Sequence, residues 1–161
     1  MVAIRAQSIT MASRISYDWM DGRQVPQLVI ENDCTLTGTH EGTVRVIAGT
    51  FHLAGIIKGS LDIGSGVIAT ISGTQQGSVA VASDASLTVQ GAIEGSTSLE
   101  PGATVIIAPH GKLAGSLRND GLVVVRGVFG GSQSGSGQLR LEGEGYIKQP
   151  KLVDGVHYYE W

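Results

Sequence analysis

Residues 55–81 read Gly55-Ile-Ile57-Lys-Gly59-Ser-Leu61-Asp-Ile63-Gly-Ser-Gly-Val-Ile-Ala69-Thr-Ile71-Ser-Gly73-Thr-Gln75-Gln-Gly77-Ser-Val79-Ala-Val81, and the same order of glycine steps and aliphatic pairs continues on either side. Gly55 to Gly59 and Gly73 to Gly77 are two of six Gly-x-x-x-Gly steps between Gly38 and Gly131; the others begin at Gly38, Gly91, Gly111 and Gly127. Subtracting these positions gives intervals of 17, 18, 18, 20 and 16 residues between first glycines. A period of that size marks a solenoid, in which each repeat is one coil that buries its apolar side chains only against its neighbours.

Stacking each repeat beneath the last gives three files of inward positions. The first is Leu28/Ile30, Val44/Val46, Leu61/Ile63, Val79/Val81, Thr97/Leu99 and Leu117/Asn119. The second is Cys34/Leu36, Phe51/Leu53, Ala69/Ile71, Leu87/Val89, Val105/Ile107, Val123/Val125 and Leu139/Leu141. The third holds the middle residue of each glycine step: His40, Ile57, Gln75, Ile93, Leu113 and Phe129. Pairs at i and i+2 are strand spacing, and Arg45, His52, Asp62, Thr88, Arg126 and Arg140 fall between inward positions, as the wet face of a strand requires. No stripe at helical spacing runs through residues 28–145, so the expected fold is all-β: a single-stranded triangular parallel β-helix of about six or seven coils of 16–20 residues. His40, Gln75, Thr97 and Asn119 are the polar members of the core files.

The flanks differ from this pattern. Residues 1–26 carry Ile4, Ile9, Met11, Ile15 and Tyr17 at mixed spacing, then Asp18-Trp19-Met20-Asp21-Gly22, in which Asp-Gly signals a turn; one or two short strands laid across the first coil as a cap are expected. The solenoid is expected over 27–146. Its twenty-residue step is assigned to bulged corners at Glu100-Pro101-Gly102 and Ala108-Pro109-His110. Past Gly131, Ser132-Gln-Ser-Gly-Ser-Gly137 takes the place of a strand pair. The tail from Tyr146 onward breaks the register, and 147–161 concentrates aromatics, so Tyr158, Tyr159 and Trp161, with Trp19 at the other end, are the candidate contacts for capping, assembly or a partner.

Composition narrows the function classes. The 161 residues fit one domain, and 42% hydrophobic content supplies a core, while 24 glycines against 5% aromatic and 16% charged residues suit many tight corners and thin strands. A formal net charge of −3 gives no basic footprint for nucleic acid. The N-terminus has no apolar run of signal-peptide length and no stretch approaches a membrane span, so a cytoplasmic protein is expected. The lone Cys34 cannot close an internal disulfide and, in an inward file, reads as a structural thiol.

Catalytic patterns fail one by one. His40, His52, His110 and His157 share no file and coil, so no metal site is assembled from them. No Gly-x-Ser-x-Gly elbow occurs, and Gly64-Ser-Gly66 is a turn without the lysine and helix of a phosphate loop. The hexapeptide acyltransferases share the eighteen-residue coil, and such an enzyme stays as a second alternative although their aliphatic-Gly-x-x-x-x units are absent here. A threonine ladder for ice begins at Thr35-Leu-Thr37 and meets His52 and Ala54 beneath. The chain is also too short and sparsely charged for the groove of a carbohydrate-active β-helix.

Gly38-Thr-His-Glu-Gly-Thr-Val, Gly55-Ile-Ile-Lys-Gly-Ser-Leu, Gly73-Thr-Gln-Gln-Gly-Ser-Val and Gly91-Ala-Ile-Glu-Gly-Ser-Thr resemble the Gly-x-Ile/Val-x-Gly-x-Ile/Val units of the bactofilins, polymer-forming bacterial cytoskeletal proteins, over about residues 28–145. The resemblance implies a right-handed triangular β-helix, no nucleotide or other cofactor, and end-to-end stacking into scaffolding filaments. The expected function is therefore non-enzymatic: self-association or binding of one protein partner, without a small-molecule substrate. A capped module of the immunity-protein kind, neutralising a bacterial toxin, is the competing expectation.

Overall fold

The computed structural model describes residues 2–5, 15–20, 23–148, 151–153 and 155–158; Ile9 and Met11 of the leader lie outside them. The described residues form strands and turns with no helix, and the strands stack in parallel as a β-solenoid of about seven coils. Each coil contributes one strand to each of three faces. The first face runs Arg23–Ile30, Val44–Val46, Leu61–Ile63, Val79–Val81, Thr97–Leu99, Leu117–Asn119 and Gln133–Ser134. The second runs Cys34–His40, Thr50–Leu53, Ile68–Ile71, Ser86–Val89, Thr104–Ile107, Leu122–Val125 and Gln138–Leu141. The third starts on Thr39 and His40, where Cys34–His40 turns the corner, and continues through Ile56–Ile57, Thr74–Gln75, Ala92–Ile93, Lys112–Ala114, Val128–Gly130 and Tyr146–Ile147.

The registers reproduce the three files read from the sequence. Val46 lies over Ile63 and Ile63 over Val81; Leu36, Leu53, Ile71, Val89, Ile107 and Val125 form the second such column; His40, Ile57, Gln75, Ile93, Leu113 and Phe129 form the third. All of these side chains are buried. Removing each aliphatic side chain from water contributes about 1.5 to 3 kcal/mol, so the stack tolerates a few polar members. Two of those members are tied to backbone: Gln75 Nε2 donates to Gly59 O at 2.8 Å, and Asn119 Nδ2 donates to Gln138 O at 2.7 Å while its Oδ1 accepts from Gly121 N at 3.0 Å.

The glycine steps bracket the short third-face strands because successive coils nearly touch there. A Cβ on Gly55 would run into Gly38 O, on Gly73 into Gly55 O and on Gly91 into Gly73 O; at the second corner Gly59 meets Gly42 O, Gly77 meets Gly59 O and Gly95 meets Gly77 O. None of these six needs a left-handed backbone, so close approach rather than conformational freedom selects glycine.

Several expectations need correction. Gln133–Ser134 pairs in parallel with Leu117 and Arg118 despite its small polar composition, because a ladder needs only amides and carbonyls. Tyr146 and Ile147 keep the register rather than break it, lying against Val128 and Phe129. The long step is taken up at residues 108–110, where Gly111 N donates back to Ala108 O at 2.7 Å; the turn at 100–103 has the same length as the one at 82–85. Arg126 sits at a corner after its strand instead of between inward positions, with its Nη2 3.0 Å from Glu142 Oε1.

Candidate binding surface at the ends of the tube

A parallel solenoid has two terminal coils whose outer backbone edges no further coil satisfies, and these edges are where another chain can add a strand. The two ends of this tube are built differently. At the N-terminal end, Val2–Arg5 runs antiparallel along the outer edge of Cys34–His40, pairing residues 2–5 with residues 38–35. Ile15–Met20 runs antiparallel along the outer edge of Arg23–Ile30, from Ile15 opposite Leu28 to Met20 opposite Arg23. Reversed strands thus lie along the outer edge on two of the three faces.

At the C-terminal end, Gln133–Ser134, Gln138–Leu141 and Tyr146–Ile147 each pair with the coil above, and among the described residues no strand pairs with their outer edges. The side chains follow the backbone. Leu141 is 53% exposed, and Leu139 and Ile147 are only partly buried against the core, whereas their counterparts in the first coil, Leu36, Cys34 and His40, are buried; Tyr146, 51% exposed, stands at an outward position of its strand, as Thr39 does in the first coil. Beside this end a cavity of about 430 Å³ is lined by Pro109, Arg126, Val128, Glu142, Glu144 and Tyr146. The Arg126–Glu142 pair across it is half exposed and contributes little to stability. Asp120 anchors the corner of the last coil: its Oδ1 accepts from Ser136 N at 3.0 Å and Ser136 Oγ at 3.3 Å. The Ser136 amide, opposed by desolvation and aided by Arg118, holds the Asp120 carboxyl below its ordinary value.

Of the aromatic candidates, Trp19 and Tyr158 belong to different sheets. Trp19 lies in Ile15–Met20 opposite Gln24 at the N-terminal edge, and Tyr158 lies in the strand Val156–Tyr158 opposite Lys151. That strand and Lys151–Val153 form a two-stranded antiparallel sheet of their own. Tyr159 and Trp161 lie outside the described residues. Leu141, expected at an inward position, is exposed because no described strand lies on its coil, and it joins Ile47, Ile68 and Tyr146 as an exposed large apolar residue; the signal for the Tyr146 strand was present in Gly145-Tyr-Ile, which repeats Gly127-Val-Phe, but position 149 is Gln, so the step lacks its second glycine.

The remaining chemistry is sparse. His52 Nε2 lies 2.7 Å from Ser72 Oγ, and the Ser72 hydroxyl also donates to Leu53 O at 3.3 Å; among the described residues no carboxylate hydrogen-bonds the imidazole as the orienting acid of a hydrolytic triad would. Burial pushes the Cys34 thiol up to about 11, which leaves it protonated and unreactive. Among the described residues no group of three or more His, Cys, Asp or Glu is placed to hold a metal ion, and no helix is long and apolar enough to cross a membrane. Comparison of the chain with family models, with curated proteins and with solved structures gives no match.

Proposed function

We propose that the protein is a non-enzymatic, bactofilin-like structural module that binds protein by strand addition at its C-terminal coil, and that two copies meet there as a closed pair. The observation that carries this reading is the inequality of the ends: reversed strands lie on two faces at the N-terminus, while the last coil presents three strand edges with Leu141 and Tyr146 exposed beside them. Head-to-tail filaments need both ends to accept a neighbour, whereas like ends meeting about a two-fold axis form an assembly that closes at two.

The test is molecular mass against concentration for the intact chain and for Leu141→Lys. A charge at that position opposes desolvation of the edge without disturbing the buried files. A monomer–dimer equilibrium in the intact chain that Leu141→Lys abolishes supports the reading. Filaments of the intact chain in negative stain would reject it, and dimers that persist in the variant would move the contact elsewhere. Deleting residues 152–161 separates the aromatic tail from the coil: a stronger dimer after deletion makes Tyr158, Tyr159 and Trp161 a cover, and a lost dimer makes them the adhesive.

A further inference from the structure

The covered N-terminal end carries features of a coil made to lie beneath another coil. In the coils at Gly55/Gly59, Gly73/Gly77 and Gly91/Gly95, the lower of two stacked coils has glycine at both corners of the third face, because a carbonyl of the coil above occupies the place of a Cβ. The first coil also carries glycine at both corners: Gly38 has a left-handed backbone, φ 74°, that favours glycine by itself, whereas Gly42 has no positive φ to account for it. We infer that the rim of the first coil is a second docking surface, shaped for the C-terminal coil of another copy and occupied in this structure by the chain's own reversed strands, Val2–Arg5 and Ile15–Met20. The inference rests on the reading of the last coil as the binding end.

Extending the files across such a junction shows the match. Leu139 comes over Cys34, Leu141 over Leu36 and Ile147 over His40, so the exposed or half-buried apolar residues of the last coil gain the buried positions that continue their own columns. Arg140 comes over Thr35, and Lys148, next after Ile147, comes over Glu41, next after His40. Opposite charges thus meet at one corner and like charges at none of these positions. The covering strands run antiparallel on a parallel stack, so they occupy the edge without supplying a coil; an incoming parallel coil competes for the same amides and also buries Leu139, Leu141 and Ile147 in two of the three files. Release of the leader therefore converts a chain that closes at two into one that propagates head to tail.

The full chain carrying Ala3→Pro and Ser16→Pro tests this, since proline removes a donor from each covering strand and resists the ladder. Hydrogen exchange at residues 35–38 reads whether the cover has left, and slow exchange at Val105 and Ile107 reads whether the tube is intact; if the double variant loses the latter, Ala3→Pro alone takes its place. The expected result is loss of protection at 35–38 and mass that grows with concentration beyond the pair into linear assemblies. These assemblies are suppressed by an added peptide of residues 1–22 and by Leu141→Lys on the same background. A variant that loses protection at 35–38 yet stays paired overturns the inference. So does protection that persists, or growth indifferent to Leu141→Lys. Failure of the C-terminal reading is seen separately, as an intact chain whose mass does not respond to Leu141→Lys.

Discussion

The first and last coils of this tube contain the same three files and end in opposite conditions. Leu36 and Leu141 occupy the same column, one buried completely beneath a reversed strand, the other 53% exposed at the rim. A side chain's position in the repeat therefore does not decide its burial; what lies on the next layer does. In a fold stabilised between neighbours, the interior coils are equivalent and the ends carry the differences on which behaviour depends.

The largest expected effect breaks or confirms that contrast directly. Leu36→Ala should cost about 2 to 5 kcal/mol in chemical denaturation, because it opens a cavity beneath the cover. The same change at Leu141 should cost less than about 1 kcal/mol, since the side chain gives up little buried area. Equal losses would mean that the last coil is covered as well as the first.

Cys34 gives a smaller but sharper reading of the N-terminal end. With its thiol raised to about 11 by burial, alkylation by iodoacetamide at pH 8 should be slowed by about a hundredfold or more relative to the unfolded chain. The Ala3→Pro, Ser16→Pro chain should react faster than the intact one, because Cys34 sits in the coil that the leader covers. Identical rates would separate the thiol's protection from the cover.

The smallest effect belongs to the other end. Asp120 has a folded pKa lowered chiefly by the Ser136 amide, so its contribution is fully present above the ordinary value of 3.8 and is lost as the pH falls through the lower folded value. Acid should therefore loosen the corner at residues 135–137 before the interior coils, read as faster exchange of the Ser136 amide. Asp120→Asn keeps an acceptor and does not titrate, so it should remove that pH dependence. Uniform acid exchange along the tube would remove Asp120 as the local anchor.

Where apolar pairs recur, each register could be read from sequence before any coordinates: Val44/Val46 through Thr97/Leu99 and Phe51/Leu53 through Val123/Val125 stack as their spacing requires. The failures fall where backbone pairing continues without that side-chain signal. Gln133–Ser134 has no apolar member to announce it, and Tyr146–Ile147 lacks the second glycine of its step. The candidate surface was harder still to see. A terminal edge is a property of what does not follow, and Leu139 and Leu141 carry the same letters whether another layer covers them or not. The reversed leader strands were legible only as a tendency, since mixed spacing fixes neither partner nor direction.

The glycine corners work in one direction: each coil must yield space to the carbonyl above it and asks nothing of the coil above. A duplicated unit inserted between Gly59 and Gly77 would bring its own clearance with it and leave both neighbours unchanged. Tube length is thus free to vary by whole repeats while the two rims stay as they are, so gene duplication can lengthen the tube without redesign of its core.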